Sequence, residues 1–193
     1  PVNSKILTYN VYNYLTALSL GIQIGLDINE CIKSLSEFDV DGRMEKIEHN
    51  VTYFVDFAHS PDALDKTLQF LHRLKDNKLI LVFGAPGNRD KTKRPEMKIA
   101  WKYADIAIAT DDDPDTENRL SIINQLTQDI QKSDIPIEDI FIIPERKLAI
   151  KFATEIARPG DIVMLAKGHE PIQWTNFGTR KRSDREELLK NLK

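Results

Sequence analysis

The stretch Lys78-Leu79-Ile80-Leu81-Val82-Phe83-Gly84-Ala85-Pro86-Gly87-Asn88-Arg89-Asp90-Lys91 changes character in its middle. Five consecutive apolar residues, 79–83, show no alternation, so both faces of the strand they form must meet apolar neighbours. Strands of this kind belong to parallel sheets covered by helices on both faces. Gly84 and the polar residues behind it then end the strand in a loop. The pattern recurs along the chain. Further strands are expected over 51–57, 106–110, 140–144 and 161–165, and helices over 61–75, 94–103, 119–131, 146–157 and 183–192. That alternation predicts right-handed crossovers and an α/β fold built on a mostly parallel sheet. A closing hairpin is expected from 173–177 and 179–182, turning at Gly178.

Upstream of residue 39 the texture is different. Val11, Tyr12, Leu15, Leu18 and Leu20 recur at helical spacing, Gly21 and Gly25 interrupt the pattern, and a second helix over 29–35 starts near Asp27. A short helical segment therefore precedes the sheet, with a boundary at about 39–43 in the turn-rich Asp39-Val40-Asp41-Gly42. The length of 193 residues suits one domain with an appendage. With 41% hydrophobic and 30% charged residues the composition is globular rather than disordered. A net charge of −3 gives no general electrostatic reason to bind nucleic acid. No apolar run approaches the roughly 20 residues of a membrane helix. The single cysteine, Cys31, cannot form an internal disulfide. The chain opens at Pro1, its first methionine is Met44 and no signal peptide precedes it, so a piece of a longer protein is expected.

In open α/β sheets ligands bind beyond the carboxyl ends of the strands. Four polar segments follow predicted strands: Asp56-Phe57-Ala58-His59-Ser60-Pro61-Asp62, Gly84 to Lys91, Asp111-Asp112-Asp113-Pro114-Asp115, and Lys167-Gly168-His169-Glu170. They would converge on one edge of one sheet. Each also has a plain structural reading. Ser60 and Pro61 suit the start of a helix. The loop after Gly84 lacks the Gly-Lys-Ser/Thr of a phosphate-binding loop, and no such motif occurs in the chain. The acidic run fails as a calcium loop, because Thr116 and Ile122 stand where glycine and glutamate are required. It reads either as a solvated loop leading into the helix at Arg119 or as a negative pocket, whose mutual repulsion a buried ammonium or guanidinium would relieve.

Taken together and in order, these segments resemble the C-terminal domain of the Mur ligases. Gly42-Arg43-Met44-Glu45 and Asp56-Phe57-Ala58-His59-Ser60-Pro61 open the resemblance. Asn88-Arg89-Asp90-Lys91, Lys93-Arg94-Pro95, Thr110-Asp111-Asp112-Asp113-Pro114 and Lys167-Gly168-His169-Glu170 continue it. Tyr9-Asn10-Val11-Tyr12-Asn13 is similar to a Phe-Asn-x-x-Asn segment near the end of the family's central ATPase domain. The resemblance implies a Rossmann-like domain over 43–193, preceded over 1–42 by the helical tail of that ATPase domain. It points to the branch that adds the third residue of the peptidoglycan stem peptide, in the cytoplasm, using ATP and Mg2+. The expected partners are UDP-N-acetylmuramoyl-dipeptide, a free amino acid, and the N-terminal and central domains of the same chain. No nucleic acid and no membrane is expected.

By carry-over, Arg43 and His59 would lie near the nucleotide, Arg89 would pair with the amino acid's α-carboxylate, and Glu170 would hold a polar group of its side chain. Asp112, Asp113, Pro114 and Asp115 align with the Asp-Asn-Pro-Arg motif of the diaminopimelate-adding enzymes. The resemblance assigns no catalytic residue and no metal ligand to this part of the protein. Three departures matter. Asp115 replaces the arginine that binds a distal carboxylate, Ala166 replaces a glycine, and Phe57 replaces a tyrosine. An anionic distal group facing Asp115 would be repelled, so a lysine-like diamino acid is expected. The alternatives are a ligand-binding module without catalysis, or a related ligase acting on a folate or cyanophycin acceptor.

Overall fold

The computed structural model describes residues 8–37, 41–128, 130, 134–166, 172–175, 177–181 and 183–193. Two helices come first, α1 (Thr8–Gln23) and α2 (Ile28–Glu37). Gly25 turns between them with φ +85°, and the Asp27 carboxylate caps α2 by accepting the Asn29 and Glu30 amides at 2.9 and 3.1 Å.

The sheet follows, with strands β1 (Glu45–Glu48), β2 (Thr52–Asp56), β3 (Leu79–Phe83), β4 (Ile106–Ala109), β5 (Ile140–Ile142) and β6 (Ile162–Ala166). Their spatial order is β1-β2-β6-β3-β4-β5, and every neighbouring pair is parallel except β1 with β2. Helices α3 (Pro61–Leu74), α4 (Ala100–Tyr103), α5 (Arg119–Thr127), α6 (Arg146–Ile156) and α7 (Asp184–Asn191) complete the α/β layers.

The apolar run 79–83 feeds two cores at once. Leu79, Leu81 and Phe83 pack with Leu64, Leu68 and Leu71 of α3, Met97, and Ile122 and Leu126 of α5. Ile80 and Val82 face the other way, toward Ala149, Ile150 and Ala153 of α6 and Leu188 of α7. All five are fully buried, and register places Ile80 between Val163 and Ile106. This is the two-sided burial that an unbroken apolar strand requires.

Two elements differ from the sequence expectation. The antiparallel edge strand β1, Glu-Lys-Ile-Glu, carries too little apolar signal to announce itself. The helix expected over 94–103 is instead two 3₁₀ turns, Lys91–Lys93 and Pro95–Ile99, running into the single turn of α4. Pro95, which has no amide hydrogen, sits at the first position of the second turn. The closing hairpin is present, paired as β7 (Ile172–Thr175) with β8 (Gly178–Lys181). Among the described residues no helix is long and apolar enough to cross a membrane.

Candidate functional site

Because β2, β3, β4 and β6 are parallel, their carboxyl ends share one edge, and the polar loops after β2, β3 and β4 meet there. Between them lies a cavity of about 580 Å3. The loop after β2 contributes Phe57, His59 and Ser60; the loop after β3 contributes Arg89, Asp90 and Lys93; the loop after β4 contributes Asp113 and Asp115; and β7 contributes Trp174.

The β2 side is organised around Asp56. Its buried carboxylate accepts the Met44 amide at 2.8 Å and the Ala58 amide at 2.9 Å. Burial pushes this carboxyl above its ordinary value, and the two amides and nearby Arg43 oppose that rise. The bonds tie the turn at Gly42–Met44 to the loop at 57–59. The Arg43 guanidinium consequently lies over the Phe57 ring, 4.4 Å from its centroid. The His59 ring meets the same ring edge-on at 4.8 Å. His59 Nδ1 donates to the Phe57 carbonyl at 2.8 Å, which leaves Nε2 as an acceptor in the neutral ring. Arg43 and His59, predicted together from sequence, thus share one aromatic platform. Ser60 caps α3 through the Ala63 amide at 3.3 Å, so its helix-start reading also holds.

The loop after β3 approaches the loop after β4 backbone to backbone. A side chain on Gly84 would sit 2.6 Å from the Thr110 carbonyl oxygen, and one on Gly87 would sit 1.8 Å from that of Pro114. The Gly87 amide donates to the Asp113 carbonyl at 2.6 Å. Behind this junction is a pair that the sequence did not reveal. Arg94, buried, grips Glu117 with both terminal nitrogens at 2.8 and 2.7 Å, and it also donates to Gln125 and to the Pro86 carbonyl. Glu117 in turn accepts the Asn88 amide at 3.1 Å and pairs with Lys91 at 3.1 Å. Arg94 above all holds the Glu117 carboxyl far below the usual carboxylate range. This clamp fixes the loop carrying Arg89. Lys93-Arg94-Pro95 was visible as a motif, but its partner, 23 residues away, was not.

The acidic run is not a solvated loop: Asp111, Asp112, Asp113 and Pro114 are all buried. Protein guanidinium groups relieve its charge. Arg119 pairs with Asp111 at 2.5 Å. Arg146, fully buried, pairs with Asp184 at 2.5 Å and donates to the carbonyls of Asp111 at 3.3 Å and Ala166 at 2.5 Å. Burial works against the Arg146 charge, but Asp184 first, then Asp112 and Asp113, keep it protonated. The helix at Arg119 is capped by Asn118, which accepts the Leu120 and Ser121 amides, and not by the acidic residues.

Of the residues predicted from sequence, His59, Arg89, Asp113 and Asp115 line the cavity. Asp112 and Pro114 are buried beside Asp113, and neither is a lining residue. Ala166 is buried at the end of β6 within the apolar core. Glu170 and the rest of Lys167–Glu170 lie outside the described residues. Trp174 went unrecognised as a cavity residue. Asp113 Oδ1 accepts its amide at 3.4 Å, and its carbonyl accepts the Asp115 amide at 3.0 Å. Gln173, next to it, donates its side-chain amide to the Asp112 carbonyl. Among the described residues no group of three His, Cys, Asp or Glu is placed to hold a metal ion.

A parallel α/β sheet whose carboxyl edge forms one cavity, lined by Arg89, Asp90 and Lys93 from one loop and by Asp113 and Asp115 from another, defines a Rossmann-like domain with its cavity where such folds bind ligands. The family described as "Mur ligase, glutamate ligase domain" matches residues 42–168, and the chain belongs to it. A UDP-N-acetylmuramoyl-L-alanyl-D-glutamate–2,6-diaminopimelate ligase of Caldanaerobacter subterraneus subsp. tengcongensis is 38% identical over 169 residues, which is 86% of this chain and 34% of that protein. A UDP-N-acetylmuramyl-tripeptide synthetase of a Roseiflexus species is 38% identical over 189 residues, 91% of this chain and 37% of its own. A solved structure of a UDP-N-acetylmuramoyl-L-alanyl-D-glutamate–2,6-diaminopimelate ligase superposes with a TM-score of 0.74 at 35% identity, covering 99% of this chain and 40% of that one. The chain thus spans between a third and two-fifths of the length of these relatives.

Proposed function

We propose that this chain is the amino-acid- and nucleotide-binding part of an ATP-dependent ligase that joins a diamino acid to UDP-N-acetylmuramoyl-dipeptide. The observation that carries the reading is the charge division of the cavity. Arg89 and Lys93 stand on the loop after β3, where Asp90 lies 3.7 Å from Lys93 and leaves Arg89 as the main cation, and Asp113 and Asp115 stand on the loop after β4. A free amino acid has the matching division. Its α-carboxylate suits the planar fork of Arg89, and its amines suit the carboxylates opposite.

ATP supplies the phosphoryl group that turns the dipeptide's carboxylate into an acyl phosphate. The amino acid's amine then attacks that carbonyl, the C–N bond forms, phosphate leaves, and the nitrogen gives up a proton. This chain's residues hold the incoming amine beside the reaction, a gain of proximity rather than of acid–base chemistry. The Arg43, Phe57 and His59 cluster offers a cation, an aromatic face and an acceptor nitrogen, which fits a nucleotide at the cavity rim. Mg2+ would be held by the preceding domain, and no step here passes through it. The same reading makes residues 1–42 the tail of that domain and 43–193 the C-terminal domain, working in the cytoplasm. In its support, α1, α2 and the turn between them expose Tyr12, Leu15, Leu20, Ile24 and Ile32, an apolar surface suited to burial against further chain.

For the side chain of the amino acid we favour a lysine-like group. Two of the three relatives above are named for 2,6-diaminopimelate, but Asp115 lines the cavity and would repel a second carboxylate there. Replacing Arg89 tests the reading. In the longer protein, Arg89→Ala raises the amino-acid KM by more than about tenfold and leaves the ATP KM within about twofold. Equal changes in both constants would refute it.

A further inference from the structure

We propose that Trp174 is a specificity residue of this site, its indole face receiving the side-chain ammonium of the bound diamino acid. The inference rests on the amino-acid reading of the cavity. Trp174 lines the cavity beside Asp113 and Asp115, and 56% of it is exposed. The face of a tryptophan ring attracts cations more strongly than that of any other aromatic side chain. The two neighbouring carboxylates set the charge preference of that corner. Together the three groups make a surface for a cation on an aliphatic stem.

The backbone around the ring is built to hold it there. The Trp174 amide donates to Asp113 Oδ1, and its carbonyl accepts the Asp115 amide. Asp115 adopts φ +52° and forms a bridge with Thr175. Both acidic residues are therefore coupled to the strand that carries the ring. β8 backs this strand, and Gln173 anchors it to the Asp112 carbonyl. Arg89 and Lys93 line the same cavity from the loop after β3, and a ligand held there by its α-carboxylate would extend its side chain toward Trp174.

The test uses the full-length ligase containing this chain, assayed with lysine and diaminopimelate and with norleucine, which has lysine's chain length but no terminal amine. The expected result is that Trp174→Leu raises the KM of the preferred diamino acid about fivefold or more, whereas Trp174→Phe stays within about twofold of wild type. The ATP KM and the inhibition constant of norleucine change by less than about twofold in both variants. With every other tryptophan of the full-length ligase, Trp101 among them, replaced by phenylalanine so that Trp174 is the single indole, the diamino acid shifts the emission and norleucine does not. If the leucine variant loses norleucine and the diamino acid alike, or loses neither, the proposal is overturned. An unshifted emission at saturating diamino acid overturns it as well. If the wild type itself releases phosphate without any need for an amino acid, the parent reading falls first.

Discussion

Gly87 has no room for a side chain, because a β-carbon there would overlap the Pro114 carbonyl. Backbone cannot yield as a flexible side chain does, so Gly87→Ala should cost at least about 2 kcal/mol of stability, measured by denaturant unfolding. The same substitution should weaken amino-acid binding, since Gly87 closes the gap between the Arg89 loop and the Asp113 loop. Asp115 is a matter of charge rather than space. Asp115→Arg should shift substrate preference from lysine toward diaminopimelate by about tenfold or more in relative kcat/KM. At this scale the sequence singled out Arg89, His59 and Asp115 by their own side-chain chemistry, and all three line the cavity. It was silent where a residue acts through a distant partner. Nothing local to Glu117 shows that Arg94 will grip it, and nothing near Trp174 shows that the acidic loop will lie against its backbone.

Among the elements, the Arg94–Glu117 clamp joins the turn at Lys91–Lys93 to the start of α5. Its carboxyl lies below the ordinary value of 4.5 in the folded protein, first because Arg94 donates to it. A carboxyl lowered by folding contributes stability that is present above its unfolded value and is lost as the pH falls below it. Glu117→Gln should therefore destabilise the protein by about 3 kcal/mol near neutral pH. That difference should shrink in unfolding curves taken progressively below pH 4.5. The strands β2 to β6 were legible because each is an apolar run bounded by turn residues. Strand β1 was not, since half-buried Glu45, Lys46 and Ile47 pair at the sheet edge without an apolar pattern. The segment 94–103 was misread as one helix because apolar spacing cannot separate 3₁₀ turns from α-turns over so few residues. The acidic run read equally as a solvated loop or a negative pocket because sequence does not show that Arg119 and Arg146 will be folded against it.

At the scale of the molecule, one edge of the sheet is a working surface, and buried ion pairs brace it from below. Arg146 links α6, α7 and the ends of β4 and β6 through Asp184 and the carbonyls of Asp111 and Ala166. The helical pair α1–α2 stands apart in character, with large apolar side chains exposed. Removing residues 1–37 should reduce self-association in size-exclusion chromatography while leaving the melting midpoint of the α/β body within about 2 °C. The central claim is that this body presents an amino acid's amine to an activated carboxylate. Phosphate release by the longer protein tests it most directly, measured with ATP, UDP-N-acetylmuramoyl-dipeptide and lysine, ornithine or diaminopimelate in turn. Release should depend on a diamino acid, with lysine used in preference to diaminopimelate. Release that is absent, or that proceeds equally without any amino acid, would contradict it.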